Sequence, residues 1–200
     1  MRLLYEDYMR LIIVDGLDGV GKDTHANLIK KRYEKKGEKV IIRSHPESDN
    51  YFGKKTKKAL LSLGKLNQIK ASIYYLFDVL RSIKIFYNKK NCETLIMVRY
   101  LMGTAYLPDC LVDIGYNFFY NFVPTSEYKF FLDASPELLV KRLEKRDKKE
   151  IFETKKALKK VRKKSIKLAK DWIIIDTSKP INEVAIVINK KLDTLDKKNK

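Results

Sequence analysis

Apolar residues along the chain fall into two patterns: short continuous runs, and stretches in which they recur every three or four positions. The continuous runs predict five strands at residues 11–14, 39–43, 94–98, 128–132 and 172–176. The helical spacing predicts helices at residues 24–36, 74–86, 136–146, 155–170 and 181–192. We expect the helix at 74–86 to be buried and the terminal "DKKNK" to be a frayed tail.

Strands that alternate with helices predict an α/β fold, in which helices cover both faces of a parallel sheet. Ligands bind such sheets at the carboxyl ends of the strands. A glycine-rich stretch follows the first predicted strand, while Val98-Arg99 and Asp133 lie at the ends of two others. Because no internal repeat or linker interrupts the pattern, we expect a single domain over residues 1–200.

Length and composition suit a folded protein with a sizeable core, since the 200 residues are 44% hydrophobic. No apolar stretch approaches the roughly 18 residues of a membrane span, and Glu6, Asp7 and Arg10 interrupt the N-terminal apolar run. Cys92 and Cys110 are too far apart for a metal motif or a disulfide framework. These features predict a cytoplasmic protein with no membrane partner.

The formal net charge of +18 at pH 7 indicates a surface that attracts anions such as nucleic acid, membranes or phosphorylated small molecules. The lysines are spread along the predicted helices and concentrated between Lys141 and Lys170, with no arginine-and-aromatic recognition motif among them. We therefore interpret the charge as a solvated lysine-rich surface. Nucleic-acid binding is the alternative, which the charge alone supports.

The stretch "LIIVDGLDGVGKDTHA", residues 11–26, nearly matches the phosphate-binding pattern G-x-x-x-x-G-K-S/T. In that pattern a glycine-rich turn points backbone N–H groups inward, where they bind polyphosphate oxygens together with the positive end of a helix. Gly16, Gly19 and Gly21 would permit the turn, and Lys22 would reach the outer phosphates. The alternative, a glycine-rich turn without a ligand, leaves Lys22 and Asp18 unexplained.

Asp23 stands where the pattern has a serine or threonine, whose hydroxyl ligates Mg²⁺. Its carboxylate could bind the metal directly, because carboxylate oxygens are good ligands for hard cations. It could instead cap the helix while Thr24 serves the nucleotide, or repel phosphate and mark an inactive site. We favour the first two interpretations together, for a reason given by Val98 below.

Taken together, five segments resemble the thymidylate kinase family of P-loop nucleoside monophosphate kinases, from Leu11 to about Leu192. They are "VDGLDGVGKDTHA", "YYLFDVLRS", "LIMVRYLMGTAY", "FFLDASPELLVKRLEKR" and "WIIIDTSKPINEVAIVI", in the family's order. The resemblance implies a three-layer α/β/α P-loop kinase fold with a parallel sheet of about five strands and a helical lid near residues 142–156. It also implies transfer of the γ-phosphoryl group of ATP to a (deoxy)nucleoside monophosphate, most often dTMP.

On the ATP side, the resemblance implies that the glycine loop binds ATP with Mg²⁺ and that Arg142 packs on the adenine. The loop residues so assigned are Gly16, Leu17, Asp18, Gly19, Val20, Gly21, Lys22, Asp23 and Thr24. Lys22 would steady the transferring phosphoryl group. Gly19 stands where some members have a catalytic arginine, so the lid would supply that cation. Arg146 is our candidate, whereas Lys148 and Lys149 fit a solvated helix face.

On the acceptor side, the resemblance assigns Phe77 to stacking on the base and Arg81 to the edge of the base or the phosphate. Arg99 would bind the 5′-phosphate, with Tyr100 beside it, and Asp18 would meet the sugar hydroxyl or position the acceptor. Family members are often dimers, so a homodimer is a further expectation. The apolar helix at 74–86 could form that interface, although burial in the core explains it equally.

Three departures from the family pattern affect the site. Val98 replaces an aspartate that helps to hold magnesium, and we hypothesise that Asp23 takes over its role. In the loop "RSHPESDNYFG", Ser48 stands where one version of the motif has a phosphate-binding arginine. His45 in the same loop could pair with a phosphate, but we expect it to be solvated. Gly103 replaces an expected serine. The ATP side therefore matches better, which leaves the acceptor base open and a non-catalytic, regulatory P-loop protein as the rival function.

Overall fold

The computed structural model describes residues 9–61, 65–89, 91–107, 109–144 and 154–199, and its centre is a parallel five-stranded sheet. The strands are β1 (Arg10–Gly16), β2 (Val40–Ser44), β3 (Thr94–Val98), β4 (Lys129–Asp133) and β5 (Ile173–Asp176). Their order across the sheet is β2-β3-β1-β4-β5. The predicted parallel sheet is thus confirmed, with small shifts at the strand ends.

The described part of the chain also forms seven α-helices. They are α1 (Lys22–Glu34), α2 (Tyr51–Leu60), α3 (Lys65–Ser82), α4 (Asp109–Phe122), α5 (Pro136–Leu143), α6 (Lys155–Leu168) and α7 (Ile181–Lys198). A π-helical turn, Ile83–Tyr87, extends α3, and a 3₁₀ helix, Met102–Tyr106, precedes α4. The sequence pattern does not predict α2 or α4. Asn50 begins α2 by accepting a hydrogen bond from the N–H of Gly53, a cap within a stretch that resembles a loop.

Two helix predictions are wrong in extent or burial. Helix α3 begins well before residue 74. It is only partly buried, because it carries apolar residues on its solvent-facing side as well as on the side that faces the core. Its exposed apolar residues are Leu66, Ile69, Ile73, Phe77 and Leu80. The expected frayed tail is helical up to Lys198, because Asp196 anchors it by accepting hydrogen bonds from Tyr33 and Lys36.

The core lies on both faces of the sheet. Ile12 and Ile13 are neighbours on β1, so their side chains point to opposite faces, and both are 0% exposed. Helix α1 contacts β1, β2 and β3 and also packs against α7. Helices therefore cover the sheet on both sides, as the predicted three-layer fold requires.

The strand order places the carboxyl end of β1 at the centre of the molecule. The chain adds β3 and β2 on one side of β1 and adds β4 and β5 on the other. In doubly wound sheets the crevice at such a reversal point is where ligands bind. The glycine loop begins at this end. Within the described residues, no helix has the length and apolar character that crossing a membrane requires.

Candidate active site

The glycine loop turns sharply between β1 and α1. Gly19 and Gly21 have φ values of 85° and 89°, a region that glycine enters without steric cost. Gly16 is required by a close approach as well, since a Cβ there would lie 2.3 Å from the carbonyl oxygen of Leu132. No side chain caps α1 at Gly21, so the first amides of the helix remain available to an anion.

Lys22 is the first residue of α1, and its side chain is directed inward. Its Nζ donates to the carbonyl oxygens of Gly16 at 2.9 Å and Leu17 at 2.6 Å, and lies 3.4 Å from Asp18 Oδ1. The residue is only 3% exposed, and this burial lowers the pKa of its ammonium group to about 8. The loop thus holds a buried cation with its own carbonyl oxygens, at the position where the motif places the outer phosphates.

A cleft of about 680 Å³ opens beside this loop. The segments that follow β2 and β3 line it, together with parts of α2 and α3. The predicted site residues that line it are Gly16, Asp18, Lys22, Asp23 and Arg99. Its size falls within the range of small-molecule sites, and its position matches the carboxyl ends of β1 and β3.

Arg99 follows β3 in a strained backbone conformation, with a φ of 53°. The hydroxyl of Tyr75 donates to the carbonyl oxygens of Arg99 and Tyr100. The buried carboxylate of Asp15 accepts the N–H groups of Tyr100, Leu101 and Met102 at 2.8–3.1 Å. These contacts hold the backbone around Arg99, so that its side chain is presented to the glycine loop.

Asp23 faces Arg99 across the cleft. Its carboxylate oxygens lie 3.2 Å from Arg99 Nη1 and 2.9 Å from Nη2. Ser44, at the end of β2, donates to Asp23 and accepts from Arg99 Nη1 at 2.8 Å. Burial opposes the shift, but Arg99 and Ser44 hold the pKa of Asp23 at about 2. The helix-cap interpretation of Asp23 is wrong, because Gly21 occupies the cap position and Asp23 lies within α1.

Asp18 lies between the two cations of the loop region. Its Oδ2 accepts from the hydroxyl of Tyr106 at 2.8 Å, and its Oδ1 is 4.0 Å from Arg99 Nε. Burial would raise the pKa of Asp18, but Lys22 and Arg99 lower it below its ordinary value. Asp18 is therefore an ionised carboxylate in a fixed position.

Three predicted acceptor residues are not brought to the cleft. Phe77 is 46% exposed and stacks on Phe52, with ring centroids 5.3 Å apart. The Arg81 guanidinium lies 3.7 Å from Asp49, away from the cleft lining. The reason is the rotation of α3: Tyr75 faces the cleft, and a residue two positions further along a helix points to nearly the opposite side.

Tyr100 is the third of these residues. It is fully buried, and its hydroxyl donates to the carbonyl oxygen of Pro124 at 3.1 Å. Its backbone N–H, rather than its side chain, serves the site through Asp15. The Tyr100 side chain therefore lies outside the cleft lining.

The expected solvated histidine is also buried. His45 is 0% exposed, lines the cleft, and places Nε2 2.9 Å from Ser82 Oγ. Burial lowers the pKa of His45 to about 4, so the ring is neutral at pH 7. Arg43 lies within β2, and its guanidinium donates two hydrogen bonds to Asp49, at 2.9 and 3.1 Å.

On the ATP side, the structure places Arg142 against the loop. Its Nη1 lies 3.4 Å from the carbonyl oxygen of Gly19, and its Nη2 donates to that of Thr177 at 2.8 Å. Leu17 and Val20 bury their side chains, while Thr24 is exposed. The adenine contact of Arg142 stays a prediction. Arg146, Lys148 and Lys149 lie outside the described residues, as does most of the proposed lid.

Sequence reasoning missed three residues of this site. Asp15 has a signal in the sequence, since it is a carboxylate at the carboxyl end of a predicted strand. Tyr75 could be found only from the rotation of α3. Lys57 could be found only from α2, which carries it to the cleft, where its Nζ donates to Ser48 Oγ at 2.6 Å.

The family to which the chain belongs follows from a match that spans the loop, the cleft and the sheet. The family model described as "Thymidylate kinase" matches residues 14–188. The chain belongs to the thymidylate kinase family. Because this family is one of nucleoside monophosphate kinases, the predicted phosphotransferase activity class is confirmed, and the rival non-catalytic function has no support.

Thymidylate kinase relatives align with almost the entire chain. The "Probable thymidylate kinase 1" of Saccharolobus solfataricus is 31% identical over 180 residues, which cover 88% of this chain and 92% of that protein. The "Probable thymidylate kinase" of Methanococcus aeolicus is 32% identical over 202 residues, with 94% and 97% covered. The thymidylate kinase structure from Candida albicans superimposes with a TM-score of 0.72 at 17% identity, covering 94% and 93% of the two chains, which confirms the P-loop fold.

Proposed function

We propose that this thymidylate kinase family member transfers the γ-phosphoryl group of ATP to dTMP, which yields ADP and dTDP. The observation that carries the proposal is one cleft in which the buried ammonium of Lys22 and the guanidinium of Arg99 both face the glycine loop. A phosphoryl transfer needs positioning and charge neutralisation more than covalent participation by the protein.

The residues divide between the two substrates by their place in the cleft. The amides of the loop and the first turn of α1 bind the phosphates of ATP. Lys22 exchanges its bonds to the carbonyl oxygens of Gly16 and Leu17 for bonds to phosphate oxygens. Arg99 binds the 5′-phosphate of dTMP, and Asp18 accepts a hydrogen bond from the sugar. An oxygen of the acceptor phosphate is already anionic and attacks the γ-phosphorus directly, so no protein base is required.

A magnesium ion accompanies ATP in this proposal. Among the described residues no group of three or more acidic, histidine or cysteine side chains could hold a metal by itself. This fits Mg²⁺, which is usually bound by one or two carboxylates with substrate phosphates and water. Asp23, which is half-exposed in the first turn of α1, is the carboxylate that would hold this ion. When bound, the ion would neutralise charge on the phosphates.

A cation from the lid completes the proposed site. Gly19 offers no side chain to the phosphates, and a Cβ there would lie 3.2 Å from Leu143 Cγ. We therefore keep Arg146 as the proposed lid cation. Replacing it with alanine should lower kcat by about 10²- to 10³-fold with little change in the dTMP KM, because its contact forms in the transition state.

The test is a panel in which purified protein, ATP and Mg²⁺ are mixed with each nucleoside monophosphate in turn, and ADP is measured by a coupled assay. The proposal expects dTMP to give the highest kcat/KM and Lys22→Met to abolish turnover. ADP formation with another monophosphate in preference to dTMP would overturn the acceptor, and no ADP with any of them would overturn the activity.

A homodimer belongs to the same proposal. Helix α3 carries a row of exposed apolar residues along its length. This row, called the α3 stripe below, consists of Leu66, Ile69, Ile73, Phe77 and Leu80. Exposed apolar patches of this kind mark interaction surfaces, and a second copy of the chain is the partner that we propose. We also place the enzyme in the cytoplasm, where ATP is abundant.

A further inference from the structure

The cleft is more acidic than the protein that contains it. Among the described residues that line it, four carboxylates (Asp15, Asp18, Asp23 and Glu47) face three cations (Lys22, Lys57 and Arg99). The chain as a whole has a formal net charge of +18. His45 adds no charge because burial keeps it neutral. A phosphate that enters this cleft therefore meets cations that are already partly neutralised.

Three of the four carboxylates are held in place. Asp15 is buried and accepts three backbone N–H groups. Asp18 contacts Lys22 and Tyr106, and its side chain is only 17% exposed. Glu47 accepts the N–H of Ser44 at 2.6 Å. The side chain of Asp23 is 51% exposed, and its carboxylate bonds to Arg99 and Ser44. Asp23 is therefore the carboxylate that can move away.

Arg99 presents both of its terminal nitrogens to Asp23. Such a two-point arrangement is the one by which a guanidinium also recognises phosphate. Asp23 occupies the edge of the guanidinium that Nη1 and Nη2 form together, so a phosphate cannot bind that edge at the same time. Whatever binds Arg99 in this way must displace the carboxylate.

We propose that Asp23 is an internal competitor for Arg99, which the acceptor's 5′-phosphate displaces when it binds. This rests on the proposed function, because it takes Arg99 as the acceptor-phosphate residue. Since Asp23 belongs to the ATP loop and Arg99 to the acceptor side, the displacement links the two sites. The released carboxylate becomes available to the metal that accompanies ATP, so binding of either nucleotide favours binding of the other.

The test compares wild-type protein with Asp23→Asn, which keeps the size of the side chain and removes its charge. Isothermal titration with dTMP, without ATP, should give a Kd about three- to tenfold lower in Asp23→Asn, as expected for loss of a partly exposed charged contact. Titration with thymidine, which has no phosphate, should give equal Kd values. Asp193→Asn is the matched control. Asp193 lies on α7, away from the cleft, and pairs with Arg32 of α1 at 2.6 Å.

Coupling between the sites supplies a second readout. In wild-type protein, a nonhydrolysable ATP analogue with Mg²⁺ should tighten dTMP binding, and this gain should shrink in Asp23→Asn. Tighter binding by a variant cannot result from misfolding. An unchanged or weaker dTMP Kd in Asp23→Asn would overturn the inference. If the dTMP Kd overturns the inference but the wild-type protein still phosphorylates dTMP, the proposed function stands. If neither the wild-type protein nor Asp23→Asn binds or phosphorylates dTMP, the inference and the proposed function both fail.

Discussion

Tyr75 occupies the space that a side chain on residue 103 would need. A Cβ built on Gly103 would lie 2.7 Å from Tyr75 Oη and 2.8 Å from Tyr75 Cε1. The ring cannot easily move, because its hydroxyl is bonded to the carbonyl oxygens of Arg99 and Tyr100. The serine that the family pattern has at this position is thus excluded by the residue that holds the arginine of the cleft.

This contact predicts the effect of restoring the serine. Gly103→Ser should lower the free energy of unfolding by about 1–3 kcal/mol, the usual cost of overpacking, and should raise the KM for dTMP. Urea denaturation and steady-state kinetics measure the two effects. Tyr75→Leu removes the obstructing ring, so the double variant should lose less than the two single losses added together. Strict additivity would contradict the proposed contact.

Asp15 stabilises the segment that carries Arg99. Asp15→Ala leaves three buried N–H groups without their acceptor and should lower the free energy of unfolding by about 2–4 kcal/mol. Asp15→Asn retains one acceptor oxygen and should lose less. Urea denaturation tests both, with Asp193→Ala as an exposed control that should change stability by about 1 kcal/mol or less. An Asp15→Ala variant as stable as the control would refute this role.

Lys22 should make ATP binding dependent on pH. Burial lowers the pKa of its ammonium group to about 8 in the ligand-free protein. The charged form that attracts phosphate predominates below this pKa and is lost above it. Titration calorimetry should therefore show the affinity for a nonhydrolysable ATP analogue falling as the pH rises through about 8. Lys22→Arg, whose side chain stays charged, should lack this step; an identical pH profile would show that another group is responsible.

Lys57 should contribute to acceptor binding. It lines the cleft beside Ser48, which stands where a version of the family motif has an arginine. Lys57→Ala should raise the KM for dTMP about tenfold, the effect of losing one charged hydrogen bond, with kcat nearly unchanged. Lys54→Ala removes a lysine from the same helix outside the cleft lining. Equal KM values for the two variants would argue against a role for Lys57.

The α3 stripe predicts how the dimer can be broken. Ile73→Asp combined with Phe77→Asp should convert a dimer to a monomer, because a charge at the centre of an apolar interface is costly to bury. Size-exclusion chromatography with light scattering measures the mass. Ile186→Asp, an exposed site on α7, is the control that should leave the mass unchanged. A wild-type protein that is already a monomer would contradict the proposed dimer interface.

Local signals explain which parts of the fold could be predicted. Each strand is a short apolar run, so consecutive residues are enough to predict its position. The alternation of strands with helices then predicts a parallel sheet. Helix α2 was missed because Asn50, Gly53 and the preceding Pro46 are typical of a loop. The helical end of α7 was missed because its anchor, Asp196, bonds to residues of α1.

By itself the sequence determined the α/β fold, the glycine loop and the family, because glycine, lysine and apolar residues at fixed spacing constrain neighbouring residues. Tertiary structure alone decided that Tyr75 rather than Phe77 faces the cleft and that Asp23 pairs with Arg99. Those outcomes depend on the rotation of a helix and on side chains 76 positions apart. Spacing along a chain does not fix either of these, since both depend on how separate elements pack.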